Sequence, residues 1–438
     1  MVRIRLEQAA ESRRRHMQTN KGHILYLCAD RGIPFGASKG GSIHIREFVE
    51  ALSAVGYVPT VVTARCDPTY RRSPAYPVHT LPQSLWPPLM QNRQKSKGGD
   101  RFWKEVEDFE RNQPVTGMLA DIYSSDPFDL IYERYSLFSI AGYFFARSRG
   151  MPFVLEVNAP LVKEASTYRS LVQVDLAQAV ERFLLKSADC VVAVCDQVRD
   201  HVHSIAPDTL VEVIPNGVNL ERFDKEPSTD WRPRLSNHPD SGMSVGFVGS
   251  LKPWHGVEIL IEAVSIASAE SSNLSLAVIG GSGKQLSALT ENSRLSASNV
   301  KFIGTVPHES IPDILSSLDV VVAPYPDLND FYFSPLKVYE YMAAGKAIVA
   351  SSIGQIRQIL TDGVNALLVP PGDKRALADA LLRLQNDPGL RQRLGGAARH
   401  QAEQHHSWIS RMNHVSDLFD SLKAGASGSE PLHHANSL

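Results

Sequence analysis

Glu340 lies in the segment of this sequence that is best suited to bind a small polar ligand, residues 330–346. Ser334 is a suitable N-cap, Pro335 a suitable first helical residue and Gly345 a suitable stop, so we predict a short helix between them. The N–H groups at the start of such a helix attract an anion. A carboxylate about a turn and a half into the helix can accept two hydroxyl hydrogen bonds, as a ribose diol offers.

The alternative interpretation is that Glu340 is an ordinary solvated helix residue. Its neighbours Tyr339, Tyr341 and Met342 are aromatic or apolar. An unpaired charge among such side chains is unfavourable. The sequence therefore favours a ligand for this carboxylate.

Residues 249–256 form a second candidate anion site, because they follow an apolar strand and open a helix. Small residues at such a position present backbone N–H groups, and Lys252 adds a positive charge suited to a phosphate. His255 lies within the same turn. The alternative is an ordinary strand-to-helix turn with a solvated lysine, and the residues alone leave both interpretations open.

Two segments of the N-terminal half have similar features. Gly40 and Gly41 stand at the start of a predicted helix, where a tight structural turn is the alternative to phosphate contact. Glu156 and Asn158 end a strand at a spacing of two, which places them on the same side of it. They are either loop caps or substrate ligands.

The elements that position these residues alternate between short β-rich apolar runs and segments of helical period. This pattern is typical of parallel sheets built from βαβ units. Strands are predicted over residues 23–28, 58–63, 129–132, 153–157, 190–194 and 211–214, and over 244–248, 274–279, 300–303, 320–323 and 347–350. The fold class is therefore α/β, with two doubly wound domains.

The predicted domain bounds follow from breaks in this alternation. An N-terminal domain covers residues 22–215, with a Pro-rich, charged insertion at about 67–112, and a second covers 244–400. The insertion is interpreted as solvated chain rather than as an acceptor or membrane-facing loop. The remaining predictions are a linker over 216–243, a C-terminal helix over 401–424, and disordered tails over 1–21 and 425–438.

Composition excludes several classes of function. With 45 Lys and Arg against 47 Asp and Glu, the net charge is -2, which argues against a protein that coats nucleic acid or an anionic membrane. The 4 cysteines form no C-x-x-C pair, so a reducing, cytoplasmic setting fits best. No apolar run approaches the roughly 20 residues that cross a bilayer. Weak peripheral contact with the inner face of the membrane remains compatible with the sequence, and the oligomeric state is open.

Taken together, these segments resemble a family 4 glycosyltransferase, of the retaining GT-B class that uses nucleotide-sugar donors. The similarity extends from the first strand to the Ser407-Trp408 region. It is carried by the 334–345 helix, by residues 213–218 leading to Phe223, and by Val248-Gly249-Ser250. The resemblance implies an acceptor domain and a donor domain, both Rossmann-like, that face a central cleft, and a last helix that returns to the N-terminal domain.

The resemblance also implies roles for individual residues. Glu340 falls on the ribose-binding glutamate, and Gly40 and Gly41 fall on the glycine-rich loop of the acceptor domain. The remaining donor-binding positions are the first phosphate loop at Gly249 and Ser250, the nucleobase pocket at Gly304 and Thr305, the residue Tyr332, and the helix start at Ser334, Pro335, Leu336 and Lys337.

Three features depart from the family pattern. The earlier of its two paired glutamates is Tyr332 here. The usual Arg and Lys of the first phosphate loop are Ser250 and His255, so Lys252 is the candidate substitute. The family also has a histidine at the end of a strand in the N-terminal domain, and here this position is occupied by Asn158. These changes place the identity of the donor sugar in question more than nucleotide binding itself.

The implied reaction is transfer of a hexosyl group with retention, from a UDP-sugar in preference to a GDP-sugar, to a hydroxyl acceptor. The acceptor is a polysaccharide, a lipid carrier or a small molecule. Lys252, His255, Asn158 and Glu340 are the expected catalytic residues, with Lys337 also stabilising charge on the departing diphosphate. The sequence has no D-x-D tripeptide, so neither a metal nor a cofactor is expected.

Two alternatives remain. A sugar-nucleotide epimerase or hydrolase can use the same architecture, and product analysis without an acceptor would identify it. A non-catalytic nucleotide-sugar-binding subunit would explain why Tyr332, Ser250 and Asn158 replace functional groups of the family. It would bind nucleotide without turnover.

Overall fold

The computed structural model describes residues 21–70, 74–81, 99–236, 242–271, 273–282, 284–285, 289 and 300–428. The chain forms two compact units. The first contains the residues up to Pro215 together with those from Arg411 onward. The second contains Asn216–Ser410.

The first unit is built on a parallel sheet of seven strands among the residues described, in the order β3-β2-β1-β4-β5-β6-β7. Its central strands are buried on both faces, which explains why they are largely apolar rather than alternating, with charged residues only toward the carboxyl ends of β4 and β5. The strands are β1 His23–Cys28, β2 Val58–Thr63, β3 Val78–Thr80, β4 Leu130–Arg134, β5 Phe153–Val157, β6 Cys190–Ala193 and β7 Val211–Val213.

Helices connect these strands and cover the faces of the sheet. Their apolar positions recur at helical spacing, as with Ile45, Phe48, Val49 and Leu52 on the first of them. The helices are α1 Gly40–Ala54, α2 Gly99–Glu110, α3 Asn112–Ser125, α4 Ala141–Arg149, α5 Leu161–Tyr168, α6 Val174–Ser187 and α7 Asp196–Ile205.

The second unit repeats the design with a parallel sheet of six strands within the described ranges, in the order β10-β9-β8-β11-β12-β13. A hydrophobic core fills each face of this sheet. The strands are β8 Met243–Val248, β9 Leu274–Ile279, β10 Val300–Gly304, β11 Val320–Ala323, β12 Ala347–Ser351 and β13 Leu367–Val369. The helices are α8 Arg232–Leu235, α9 Val257–Glu270, α10 Ile311–Ser316, α11 Leu336–Ala343, α12 Ile356–Ile359, α13 Lys374–Asn386, α14 Pro388–His405 and α15 Trp408–Gly428, and α15 continues into the first unit.

The region predicted as a solvated insertion, 67–112, is more structured than expected. Val61–Thr63 of β2 pairs with β3, which extends the sheet. In α2 the carboxylate of Glu105 is 2% exposed and accepts hydrogen bonds from the N–H groups of Val172 and Gln173. This interaction anchors α2 beside the start of α6. The part of the insertion over 82–98 lies outside the described residues.

Other boundary predictions also changed. The predicted linker, 216–243, belongs to the second unit. Arg232 forms an ion pair with Asp319 at 3.1 Å, which ties this stretch to β11. The predicted C-terminal tail is helical as far as Gly428. The N-terminal tail, 1–20, and residues 429–438 lie outside the described ranges.

The second sheet has its topological switch point between β8 and β11. These strands pair through Val245 with Val320 and Gly246 with Val321, toward their amino ends. Beyond that register they separate, and the N–H of Val248 donates instead to the phenol oxygen of Tyr341 at 2.9 Å. Ligands of open α/β sheets bind outside the carboxyl ends of the strands at such a point.

Candidate functional site

Three loops with glycines meet at the carboxyl edge of the second sheet, after β8, β9 and β10. The N–H of Gly280 donates to Gly304 O at 2.7 Å, and the hydroxyl of Thr305 donates to Gly281 O at 3.2 Å. A Cβ on Gly280 would lie 2.1 Å from the carbonyl oxygen of Gly249. The loops are therefore stacked closely, and the predicted positions Gly249, Gly304 and Thr305 fall on one rim.

Lys337 supplies a buried ammonium group at this rim. A Cβ on Gly249 would stand 2.7 Å from Lys337 Nζ, so the ammonium lies directly beside the first loop. Nζ lies 4.1 Å from the ring centroid of Phe247 and 5.5 Å from that of Tyr325. It is buried and donates a hydrogen bond to none of the residues described. Burial lowers the pKa of Lys337 to about 7, although Glu340 opposes this shift.

The helix that carries Lys337 begins later than predicted. It covers Leu336–Ala343, and Pro335 rather than Ser334 occupies the N-cap position. The Ser334 hydroxyl instead accepts a hydrogen bond from the N–H of Asn216, and the Ser334 carbonyl accepts one from the Asn216 side-chain amide. The helix ends before Gly345, as predicted, and Gly345 has φ +63°.

Glu340 lies one turn after Lys337 and is held by a histidine. Its Oε1 lies 2.6 Å from Nε2 of His308, which is 5% exposed. Arg222 contacts the same histidine, with Nη2 donating to His308 O at 2.6 Å. Burial opposes ionisation of Glu340, but the neighbouring His308, then Arg222 and Lys337, more than offset it and lower its pKa. The carboxylate is therefore ionised at neutral pH.

The first phosphate loop contains a neutral histidine and an exposed lysine. His255 Nδ1 donates to Ser250 O at 2.6 Å, and burial, with the nearby Lys337 charge, lowers the pKa of His255 to about 3. Its predicted part in stabilising negative charge therefore requires a bound anion that raises this pKa. Lys252 is exposed, and its Nζ lies 5.7 Å from the Trp254 ring centroid.

Leu336 is the first residue of α11, and Tyr332 precedes this helix. Tyr332, which replaces the family's earlier glutamate, has its ring centroid 4.6 Å from that of Phe333. Phe331, on its other side, packs edge-on against Tyr325, which also contacts Lys337. An aromatic cluster thus occupies the position where the family pattern has a carboxylate.

The first unit has its own polar cluster at the carboxyl edge of its sheet. Helix α1 begins at Gly40, as predicted, and carries His44 toward β5. Nε2 of His44 lies 2.8 Å from Oε1 of Glu156, and Nη1 of Arg134 donates to the same oxygen at 2.8 Å. Burial of Glu156 opposes its ionisation, but His44, then Arg134 and Asn158, lower its pKa to about 2. Glu156 is therefore a buried structural anion.

Asn158 is the member of this cluster that is available to a ligand. Its amide nitrogen donates to Glu156 Oε1, as expected for two side chains that leave β5 on one side. This bond fixes the orientation of the amide, and no described residue donates to its Oδ1. The carbonyl oxygen of Asn158 can therefore accept a hydroxyl hydrogen bond.

No three His, Cys, Asp or Glu side chains among the described residues are grouped so as to hold a metal ion. None of the helices described is long and apolar enough to cross a membrane.

Two doubly wound parallel sheets, the second with glycine loops and a helix start at its switch point, form the architecture of GT-B glycosyltransferases. The model of Glycosyltransferase Family 4 matches residues 38–222, and that of Glycosyl transferases group 1 matches 242–387. Together they match well over half of the chain. The chain belongs to the family 4 glycosyltransferases, as its motifs predicted.

Relatives and solved structures agree with this assignment. A D-inositol 3-phosphate glycosyltransferase of Streptomyces bingchenggensis is 28% identical over 68% of this chain and 68% of its own length. A phosphatidyl-myo-inositol mannosyltransferase of Mycobacterium leprae is 29% identical over 49% of this chain, and the match spans 54% of that relative.

Among solved structures, sucrose-phosphate synthase from Thermosynechococcus elongatus has a TM-score of 0.68 at 21% identity, over 92% of this chain and all of its own. Anabaena HepE, solved with UDP-glucose, has a TM-score of 0.67 at 18% identity, over 91% of this chain and 100% of its own. At this level of identity the likeness concerns the fold.

Sequence reasoning missed the partners of the predicted residues. His308 lies 32 positions from Glu340, and Arg222 lies 86 positions from His308. Only tertiary structure brings them together. The sequence also favoured Lys252 as the main cation, whereas Lys337 is the buried one. The aromatic residues around position 337 were the available signal, since a lysine among them has few solvent contacts.

Proposed function

We propose that this chain transfers a hexosyl group from a nucleotide sugar to a hydroxyl acceptor with retention of configuration. The observation that carries the proposal is the buried Lys337 ammonium, which lies beside Gly249 and donates to none of the residues described. A buried ammonium group without a hydrogen-bond acceptor is unfavourable. A diphosphate bound over the loop at Gly249 would supply the missing negative charge.

The nucleoside of the donor is assigned to the adjacent residues. Glu340 would bind the ribose hydroxyls, and the backbone of Gly304 and Thr305 would line the base pocket. A UDP-sugar is preferred over a GDP-sugar, and the fold neighbour HepE, solved with UDP-glucose, supports this choice.

The proposed reaction forms one bond and breaks another at the anomeric carbon. The acceptor oxygen bonds to this carbon as the bond to the diphosphate oxygen breaks, and the electron pair stays with the diphosphate. The acceptor's proton passes to an oxygen of the departing diphosphate. Lys337 would stabilise the charge that accumulates there, with Lys252 and a protonated His255 as further donors.

The acceptor is assigned to the first unit, in which Asn158 Oδ1 can accept a hydrogen bond from a sugar or polyol hydroxyl. Relatives named for D-inositol 3-phosphate and phosphatidyl-myo-inositol suggest cyclitols as the first acceptors to test. Polysaccharide, lipid-carrier and small-molecule acceptors complete the panel.

Titration calorimetry with UDP-glucose, UDP-galactose and GDP-mannose tests the donor site. Lys337→Met and Glu340→Gln should each weaken binding of the preferred donor by roughly 10- to 100-fold, because each removes a charged hydrogen-bonding group. Lys252→Ala should have a smaller effect, because this side chain is exposed. Unchanged affinity in both Lys337→Met and Glu340→Gln would refute the site assignment.

Turnover with the cyclitol panel tests the reaction. The anomeric proton coupling in the product should match that of the donor sugar, which would establish retention. Hydrolysis or epimerisation of the donor without an acceptor would favour the alternative enzyme. Tight binding without turnover on any acceptor would favour a non-catalytic subunit.

A further inference from the structure

We infer that His308 is a positioning residue for donor recognition: it holds the Glu340 carboxylate so that the remaining oxygen accepts from the ribose hydroxyls. The inference rests on the proposed function, since it assumes that Glu340 faces a ribose. The contact itself is the hydrogen bond of 2.6 Å between His308 Nε2 and Glu340 Oε1. Both side chains are largely buried, with 5% and 13% exposed.

The protonation of the histidine follows from its two partners. An ionised carboxylate only accepts hydrogen bonds, so Nε2 must carry the proton that it shares with Glu340. An arginine only donates, and Nη1 of Arg222 lies 3.1 Å from Nδ1 and 3.2 Å from Nε2. With Nε2 donating to Glu340, the neutral ring presents Nδ1 to Arg222 as the acceptor. Arg222 thus selects the tautomer that points its N–H at Glu340.

The arrangement also fixes where the histidine stands. Arg222 Nη2 donates to the His308 carbonyl at 2.6 Å, which holds the main chain as well as the ring. Residues His308–Ser310 form a 3-10 turn shortly after Gly304 and Thr305. The segment assigned to the base and the carboxylate assigned to the ribose are therefore joined through one side chain.

Glu340 retains one oxygen for a ligand. Its Oε1 is used by His308, and Oε2 is the oxygen assigned to the ligand. Without His308 the carboxylate could rotate toward the ammonium of Lys337, one helical turn away, because the opposite charge attracts it. The histidine therefore orients the acceptor of the ribose hydroxyls and keeps the Lys337 charge for the diphosphate.

Two amide variants of His308 test whether the hydrogen bond to Glu340 matters, rather than only the presence of a polar side chain at this position. The side-chain nitrogen of glutamine reproduces the position of Nε2, and that of asparagine the position of Nδ1. His308→Gln therefore keeps a donor for Glu340, and His308→Asn does not. His414→Asn, at an exposed histidine of the first unit, controls for an unspecific effect of the substitution.

The affinities of UDP and 2′,3′-dideoxy-UDP are measured by titration calorimetry for the wild type and each variant. His308→Asn should weaken UDP about 10-fold and leave dideoxy-UDP within about 2-fold, because only UDP has the hydroxyls that Glu340 binds. His308→Gln and His414→Asn should stay within about 3-fold of the wild type for both ligands.

The outcomes distinguish the two proposals. Equal loss for both ligands in His308→Asn, or no loss for either, would overturn the role of His308 while leaving the donor site intact. A wild type that binds UDP and dideoxy-UDP equally would instead overturn the assignment of Glu340 to the ribose. Should His308→Asn unfold, Arg222→Met provides the second test. This variant removes the arginine that faces Nδ1 of His308, so it should weaken the binding of UDP but not that of dideoxy-UDP.

Discussion

The ammonium of Lys337 lies so close to Gly249 that a Cβ at position 249 would stand 2.7 Å from Nζ. Gly249 also has φ +151°, a conformation that side chains other than glycine's rarely adopt. The backbone conformation therefore favours glycine, and a methyl group at this position would displace the ammonium. This pair defines the position at which a diphosphate is expected.

Gly249→Ala should abolish most donor binding while the fold persists, because the new methyl group displaces the Lys337 ammonium. Gly363→Ala is the matched control, since Gly363 also has positive φ, +70°, but a Cβ added there would meet nothing within 4 Å. Both variants should lose roughly 1 kcal/mol of stability through backbone strain. Calorimetry with UDP-glucose should show at least about 10-fold weakening in Gly249→Ala alone, and similar weakening in both would contradict the contact.

The affinity for UDP-glucose should fall as the pH rises above about 7. The pKa of Lys337 is lowered to about 7 by burial, so the free protein loses this proton near neutrality. A bound diphosphate favours the protonated form, and binding above pH 7 must therefore take up a proton. Calorimetry at pH 8 in buffers of different ionisation enthalpy should detect uptake of about one proton. Lys337→Met should bind weakly without uptake, and uptake unchanged in that variant would assign the proton to another group.

The stability of the first unit should fall between pH 4.5 and about 7 because of Glu133. This side chain is 0% exposed, and burial raises its pKa from 4.5 to about 7 even though Ser139 donates to it. In that interval the unfolded state ionises and the folded state does not, so protons favour the fold and their loss weakens it by about 3 kcal/mol. Glu133→Gln should remove this contribution. Urea midpoints at pH 4.5 and pH 8 measure it, and an identical pH dependence in the variant would refute the prediction.

Glu156→Gln should destabilise the first unit strongly, because it leaves Arg134 and His44 without their shared anion. Loss of one partner of a buried ion pair typically costs about 3–5 kcal/mol. The control is Glu262→Gln, which breaks the pair with Lys374 at the surface, where both side chains are about half exposed. The control should change the free energy of unfolding by less than about 1 kcal/mol. Comparable melting temperatures for the two variants would contradict the structural role of Glu156.

The sheets could be predicted because most of their strands are buried runs of β-branched and apolar residues. The bounds predicted for β1, β2, β5, β9 and β11 match the structure. β3 and β13, each three residues long, were not predicted. Helix α2 was missed because it is largely charged, and the burial of Glu105 arises from tertiary contacts.

The candidate site could also be predicted only in part. Glycine loops and the helix that bears Glu340 are local features, and the sequence located them. The burial of Lys337 and the neutral state of His255 depend on which rings enclose them, and a linear pattern does not contain that information. The contacts of Arg222 with His308 and of His308 with Glu340 join three segments that are distant in the chain.

Tyr341 fixes the point at which β8 and β11 part. Its phenol oxygen already satisfies the N–H of Val248 where β8 and β11 separate. Tyr341 is itself fully buried. The parting of the two strands is therefore already present in the folded chain, and no interstrand hydrogen bond has to break when a ligand binds at the strand ends. The strands separate when the chain folds, so ligand binding does not have to supply that free energy. This part of the site should therefore be preorganised for its ligand.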